Sequence, residues 1–170
     1  MKDTKIIGLA GPAGVGKSYL AQGLKSRTRG EIFSFAANIK LGLYCMGLDV
    51  SYKDKEAVAY KGKSTRKLLQ SLGTDWGRNM VGPDIWVDLL MKRIDQDDAH
   101  LAIIDDVRFD NEADAIHERG GVVIELERPG IYYSEEHASE TPLDPCLIDL
   151  TIDCTRTAAA VAEILTRKLS

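Results

Sequence analysis

The chain has little cysteine, little proline and few aromatic residues: three Cys, five Pro and 6% Phe, Trp and Tyr among 170 residues. Cys45, Cys146 and Cys154 are odd in number and scattered, which argues against a disulfide framework or a paired zinc site and suits thiols kept in a reducing compartment. No apolar run approaches the roughly 20 residues that span a bilayer. Met1-Lys2-Asp3-Thr4 leads into a short strand and lacks the long apolar stretch of a secretory signal, so a cytoplasmic protein with no membrane partner is expected. Positive charge is outnumbered, 22 Lys and Arg against 26 Asp and Glu. The formal net charge of -4 argues against a protein that wraps nucleic acid, which takes clustered Lys and Arg. Between Pro129 and Thr155 there is no Lys or Arg at all, and His137 is the sole potential cation. An Asn-Lys-x-Asp guanine-reading element is missing too, which removes a regulatory GTPase.

What is present is the composition of an ordinary globular protein, 44% hydrophobic and 28% charged, at a length that suits one domain. Lys5 to Ala10 reads as a buried strand, with a helix from about Gly16 to Thr28, a strand from Glu31 to Phe35, and a helix from Ala36 to Met46 with Ile39, Leu43 and Met46 on one face. Residues 51–63 are polar and lysine-rich and read as a mobile excursion. Ser64 is placed to cap a helix carrying Leu68, Leu69 and Leu72. Pro83-Asp84 opens a helix with Trp86, Leu89, Leu90 and Ile94 at helical spacing. Leu101 to Ile104 is a strand ending in Asp105-Asp106, and Asn111 caps the helix after it, which Gly120-Gly121 stops. Strands from Gly121 to Glu127 and Leu150 to Asp153 follow, then a helix from Thr157 to Leu169 with Ala158, Val161, Ala162, Leu165 and Leu169 on one side. The alternation predicts an α/β fold in three layers, a parallel sheet with helices on both faces. Ligands of such sheets bind beyond the carboxyl ends of the strands.

Gly11-Pro12-Ala13-Gly14-Val15-Gly16-Lys17-Ser18 matches the eight-residue phosphate loop, between a strand and a helix as its mechanism requires. The glycines let successive backbone N–H groups turn toward phosphate oxygens, and the helix N-terminus adds its dipole. Lys17 reaches the β- and γ-phosphates of ATP, and Ser18 offers a hydroxyl to Mg²⁺. Asp105 or Asp106, at the end of an apolar strand, can hold the magnesium through water or orient the acceptor; Ser18 with Asp105 is taken as the metal pair.

Further residues carry a resemblance. Ser64-Thr65-Arg66-Lys67-Leu68-Leu69-Gln70-Ser71-Leu72-Gly73-Thr74-Asp75-Trp76-Gly77-Arg78, Trp86, Asp106-Val107-Arg108-Phe109-Asp110-Asn111-Glu112-Ala113 and His137-Ala138-Ser139-Glu140 together resemble the bacteriophage-type deoxynucleoside monophosphate kinases, in order along most of the chain. The resemblance implies a phosphate-loop kinase that passes the γ-phosphoryl of ATP to a deoxynucleoside 5′-monophosphate. It implies that Asp106 and Arg108 lie at the acceptor, with Asn111 and Glu112 nearby. It also implies that Arg66, Gln70, Thr74, Arg78 and Trp86 line the monophosphate pocket. Arginine forks suit phosphate oxygens, Gln can read a base edge, and Trp can stack on a base. Ala36 and Lys40 fall in Ser34-Phe35-Ala36-Ala37-Asn38-Ile39-Lys40, similar to the family's Phe-Ala-Asp-x-x-Lys, but Ala37 stands where the acid is expected, which puts the sugar contact in question. Lys17, Asp106, Arg108 and Arg128 are the candidate catalytic groups. The domain expectation is one kinase domain over residues 1–170, with the acceptor-side excursion near 51–80 and a lid-like segment near 129–148. His137 and Glu140 would contact the site or hold the lid together. A homodimer stays open, as do a kinase for another small phosphorylated metabolite and one for a nucleic-acid group. A phage-encoded enzyme would work in the host cytoplasm.

Overall fold

The computed structural model describes residues 4–50, 58–133 and 141–168, and the chain divides into two compact units, residues 1–34 with 93–170 and residues 35–92. The expected excursion near 51–80 falls wholly inside the second of these.

In the first unit, five short apolar strands form one parallel sheet: β1 (Lys5–Ala10), β2 (Gly30–Phe33), β5 (Leu101–Ile104), β6 (Val122–Glu127) and β7 (Leu150–Asp153), in the order β2-β5-β1-β6-β7. Register is continuous, with Ile7 opposite Ile103 on one side and Val122 on the other. Because strand residues alternate in direction, each strand feeds two cores. On one face α1 (Lys17–Lys25) and α6 (Thr157–Lys168) set Leu20, Ala21, Leu24, Ala160, Val161 and Ile164 against Ile7, Leu9, Ile103, Ile124, Leu126 and Ile152. On the other face α5 (Asp110–Glu118) lies close against β1. A Cβ added at Gly8 would stand 2.6 Å from Ile116 Cδ1, so the strand carries a residue without one. Helices on both faces of a parallel sheet match the expected three layers, and among the described residues no helix is long and apolar enough to cross a membrane.

The second unit holds α2 (Ala36–Cys45), a hairpin of β3 (Val58–Tyr60) and β4 (Lys63–Ser64), α3 (Thr65–Gln70) and a π-helical continuation over Ser71–Val81; the boundary at Lys92 falls within α4 (Ile85–Gln96). The hairpin turns on Lys61 and Gly62, both at positive φ (42° and 76°), the pairing a two-residue turn of this hand requires. Ser64 caps α3 as expected, its hydroxyl accepting from the Lys67 N–H at 3.2 Å. The π-helix is arranged around Trp86, 5% exposed, whose indole N–H donates to the Gly73 carbonyl at 2.7 Å. A Cβ at Gly77 would meet that ring at 2.6 Å, and one at Gly73 would meet Ile39 Cδ1 at 2.9 Å. Two glycines four apart thus let an indole and a neighbouring helix press against one turn, and the i+5 bond from Gly82 N–H to the Gly77 carbonyl closes it.

Several local expectations change. Met46 lies past the end of α2 and is exposed, as is Leu89 in α4. Asn111 does not cap α5, because the helix begins one residue earlier and the buried Glu112 carboxylate accepts from the N–H groups of Arg108 (2.8 Å) and Phe109 (3.2 Å). The buried stripe of α6 is Ala160, Val161 and Ile164 with Leu165 half-buried, while Ala158 and Ala162 face solvent. Leu169, His137 and Glu140 lie outside the described residues.

Candidate functional site

The loop from Gly11 to Ser18 leaves β1 at its carboxyl end and enters α1. Its glycines are demanded by position. At φ +127° a Cβ on Gly11 would meet the Leu126 carbonyl oxygen at 2.6 Å, and Gly16, the residue before α1, holds φ +116° with Arg128 Nη2 3.1 Å from where its Cβ would be. Lys17 is buried, its Nζ donating to the carbonyls of Gly11 at 2.5 Å and Pro12 at 2.9 Å. The ammonium therefore braces its own loop from inside.

Ser18, one residue on, donates to Asp105 Oδ2 at 3.0 Å. Asp106 takes a separate partner, its Oδ2 accepting from the Ser34 hydroxyl at 2.6 Å. The two acids, equivalent by sequence, are thus divided between two serines. Arg108 follows, half-buried, its backbone N–H held by Glu112, so the visible work of Glu112 is to cap the helix behind Arg108. Asn111 sits half-buried in the first turn of that helix.

Arg128 leaves β6 beside the phosphate loop, and its Nη2 donates to the Cys154 carbonyl at 2.8 Å. The chain then turns through Pro129-Gly130, with Ile131 N–H bonding back to the Arg128 carbonyl, and returns Tyr133 to the sheet, where its hydroxyl donates to Glu125 Oε1 at 2.8 Å. Burial foremost, then the Glu125 bond, pushes the Tyr133 hydroxyl well above its ordinary range. Pro12, Glu125, Arg128, Tyr132, Tyr133 and Asp153 help line a cleft of about 430 Å³ here. Hydrogen bonds from the Thr155 hydroxyl and N–H hold the Asp153 carboxyl below the usual carboxylate range.

The remaining expected residues belong to the second unit. Ala36 opens α2 and Lys40 is exposed on it; Arg66 and Gln70 sit four apart on α3, both half-buried. Thr74 and Arg78 are half-buried on the π-helix, and Arg78 Nη1 donates to the Pro83 carbonyl at 3.0 Å. Trp86 is enclosed with its N–H spent on Gly73. Sequence reasoning assigned nothing to Ser34, Glu125 or Tyr133. A carboxylate inside the apolar strand Val122-Val123-Ile124-Glu125-Leu126 was the available signal for Glu125, since a charge so placed needs a partner.

Residues 49–161 match the family model described as deoxynucleotide monophosphate kinase. A protein of Acanthamoeba polyphaga mimivirus, provisionally named a deoxynucleotide monophosphate kinase, is 33% identical over 162 residues covering 81% of each chain. The deoxynucleoside-5′-monophosphate kinase of Escherichia phage T5 is 46% identical over 55 residues, 32% of this chain and 22% of that one. A crystal structure from Chloroflexus aurantiacus J-10-fl, provisionally named a kinase, superposes with a TM-score of 0.54 at 16% identity over 98% of this chain and 96% of that one, a likeness of fold.

Proposed function

The chain belongs to the deoxynucleotide monophosphate kinase family, whose members phosphorylate deoxynucleoside monophosphates, and on that premise we propose that ATP is the donor and that the phosphate loop and the β5 end carry the transfer. One observation carries the reading: Lys17, Ser18 and Asp105 stand together where β1 and β5 end side by side. A monophosphate oxygen of the acceptor attacks the γ-phosphorus, the bond to the β–γ bridging oxygen breaks, and ADP leaves with its electron pair. The acceptor is already an anion near neutral pH, so the enzyme's task is to align two phosphates and meet their charge.

In this reading Lys17 exchanges its two loop carbonyls for β- and γ-phosphate oxygens, while backbone N–H groups of the loop hold the β-phosphate. The Ser18 hydroxyl and Asp105 carboxylate are paired hard oxygen donors of the kind that suit Mg²⁺. When bound, that ion would neutralise charge on the β- and γ-phosphates. Asp106 orients the acceptor, and Arg108 and Arg128 face the transferred group. Arg66, Gln70, Thr74 and Arg78 hold the monophosphate and its base, with Asn111 near the acceptor and Trp86 supporting the helix from beneath. The substrates are free nucleotides, and we assign the work to the cytoplasm.

The test is coupled ADP formation with ATP, Mg²⁺ and each common ribo- and deoxynucleoside monophosphate. Turnover of one or more deoxynucleoside monophosphates is expected. Turnover of none, by a folded enzyme that phosphorylates another metabolite or a nucleic-acid end, would overturn the reading.

A further inference from the structure

Asp105 and Asp106 leave β5 as chain neighbours, yet each carboxylate is fixed by a serine from a different element. Ser18 lies at the start of α1 and holds Asp105; Ser34 follows β2 and holds Asp106. The second contact is a consequence of sheet register. Phe33 is opposite Ile104, and the Asp105 N–H continues the ladder to the Phe33 carbonyl at 3.1 Å, which brings Ser34 beside the chain at Asp106. A carboxylate turns broadly about its last torsion. A short, charge-assisted hydrogen bond from a donor mounted on the sheet selects one orientation.

We propose that Ser34 is a positioning residue for phosphoryl transfer. Its hydroxyl keeps the Asp106 carboxylate engaged apart from the Ser18–Asp105 pair, so that two adjacent acids serve two substrates: Asp105 the cation of the donor nucleotide, Asp106 the acceptor monophosphate. The proposal deepens the reading of Asp106 given above and rests on it; Ser34 acts only through that carboxylate.

The test is steady-state kinetics on Ser34→Ala, Ser34→Thr, Asp106→Asn and the Ser34→Ala/Asp106→Asn double variant, with saturating ATP and varied deoxynucleoside monophosphate. Ser34→Ala lowers kcat about 10-fold, the scale set by losing a hydrogen bond to a charged group, and leaves the KM for ATP unchanged. Ser34→Thr, which keeps the hydroxyl, stays within about twofold of wild type on the same argument. The double variant is no slower than Asp106→Asn alone, because the carboxylate through which the serine acts is already gone. Wild-type kcat in Ser34→Ala, or losses that multiply in the double variant, would overturn the proposal. Wild-type kcat in Asp106→Asn would overturn the acceptor reading of Asp106 itself, a distinct result. Ser34→Cys, similar in volume and a weak donor, answers the same question should Ser34→Ala fail to fold.

Discussion

A single methyl group added at Gly77 tests whether the π-helix is built around Trp86. The new Cβ would stand 2.6 Å from Trp86 Cζ2 and 2.7 Å from both Cε2 and Nε1, well inside van der Waals contact. The neighbour that must yield is a rigid ring, 5% exposed and tied through its N–H to Gly73. Overpacking of this kind costs about 1–3 kcal/mol, and pulling the indole off its carbonyl adds about 1 kcal/mol. Replacing a helical glycine by alanine returns about 0.5–1 kcal/mol of backbone entropy. The net loss is about 2 kcal/mol, which for a chain of this length lowers the unfolding midpoint by roughly 4–8 °C. Thermal unfolding followed by circular dichroism reads the shift directly. Gly82→Ala is the control, since its backbone is extended (φ 164°) and nothing stands within 4 Å of its added Cβ. Gly77→Ala should also raise the acceptor KM while leaving that for ATP unchanged. A Gly77→Ala protein that melts at or above the wild-type midpoint would refute the account of Trp86 as the helix's support.

Lys17→Ala should abolish phosphoryl transfer and also lower the unfolding midpoint, because the ammonium binds two loop carbonyls; an unchanged midpoint in a melting experiment would deny the bracing role, and retained turnover the chemical one. Arg108→Ala and Arg128→Ala should each reduce kcat by roughly 10²-fold, the scale of a lost preorganised donor, with Arg66→Ala and Arg78→Ala acting chiefly on the acceptor KM; the opposite split in steady-state kinetics would reverse the roles. Tyr133 is held neutral in the fold by burial and by Glu125. Its contribution to stability is therefore intact below the ordinary tyrosine value of about 10 and is lost as pH rises beyond it. An ultraviolet difference titration of wild type against Tyr133→Phe should show this phenolate forming only well above pH 10, and its appearance at or below 10 would count against the buried contact.

The parts of this molecule legible from sequence are those whose cause is local. The phosphate loop is one eight-residue segment, and the strands of the sheet are short apolar runs, so both could be read with their neighbours covered. Ser64 was legible as a cap for the same reason. Trp86 was not, because its surroundings are made by Gly73 and Gly77, nine to thirteen residues upstream, and helical spacing alone cannot distinguish an indole that stacks on a base from one that props a helix. The hairpin at Val58–Ser64 was hidden by a lysine-rich composition, although Lys61-Gly62 could be recognised as a two-residue turn once the pairing was known. Asn111 has the chemistry of a cap and lost the role to Glu112, whose longer side chain reaches back to the N–H groups before the helix. The residue pattern alone left open which of Asp105 and Asp106 meets the metal. Their partners lie 87 and 72 residues away, and only the assembled sheet, with β1 and β2 on either side of β5, determines which serine each acid meets.

The placement of positive charge follows from the same architecture. Phosphoryl transfer needs fixed cations, and a kinase can carry them on a segment that closes over the substrate or on the sheet itself. Here residues 129–155 contain no Lys or Arg. The candidate arginines of the first unit are anchored instead: Arg128 by the Cys154 carbonyl at the end of β7, and the backbone of Arg108 by the Glu112 carboxylate. In the proposed mechanism the Arg128 guanidinium is fixed by a backbone carbonyl and the Arg108 main chain by a helix cap, which reduces the reorganisation that remains for the reaction. The segment after Arg128 is left with work that needs no Lys or Arg. It begins that work from a defined point, since Tyr133 on Glu125 and Ile131 on Arg128 bring it back to the strand it has just left.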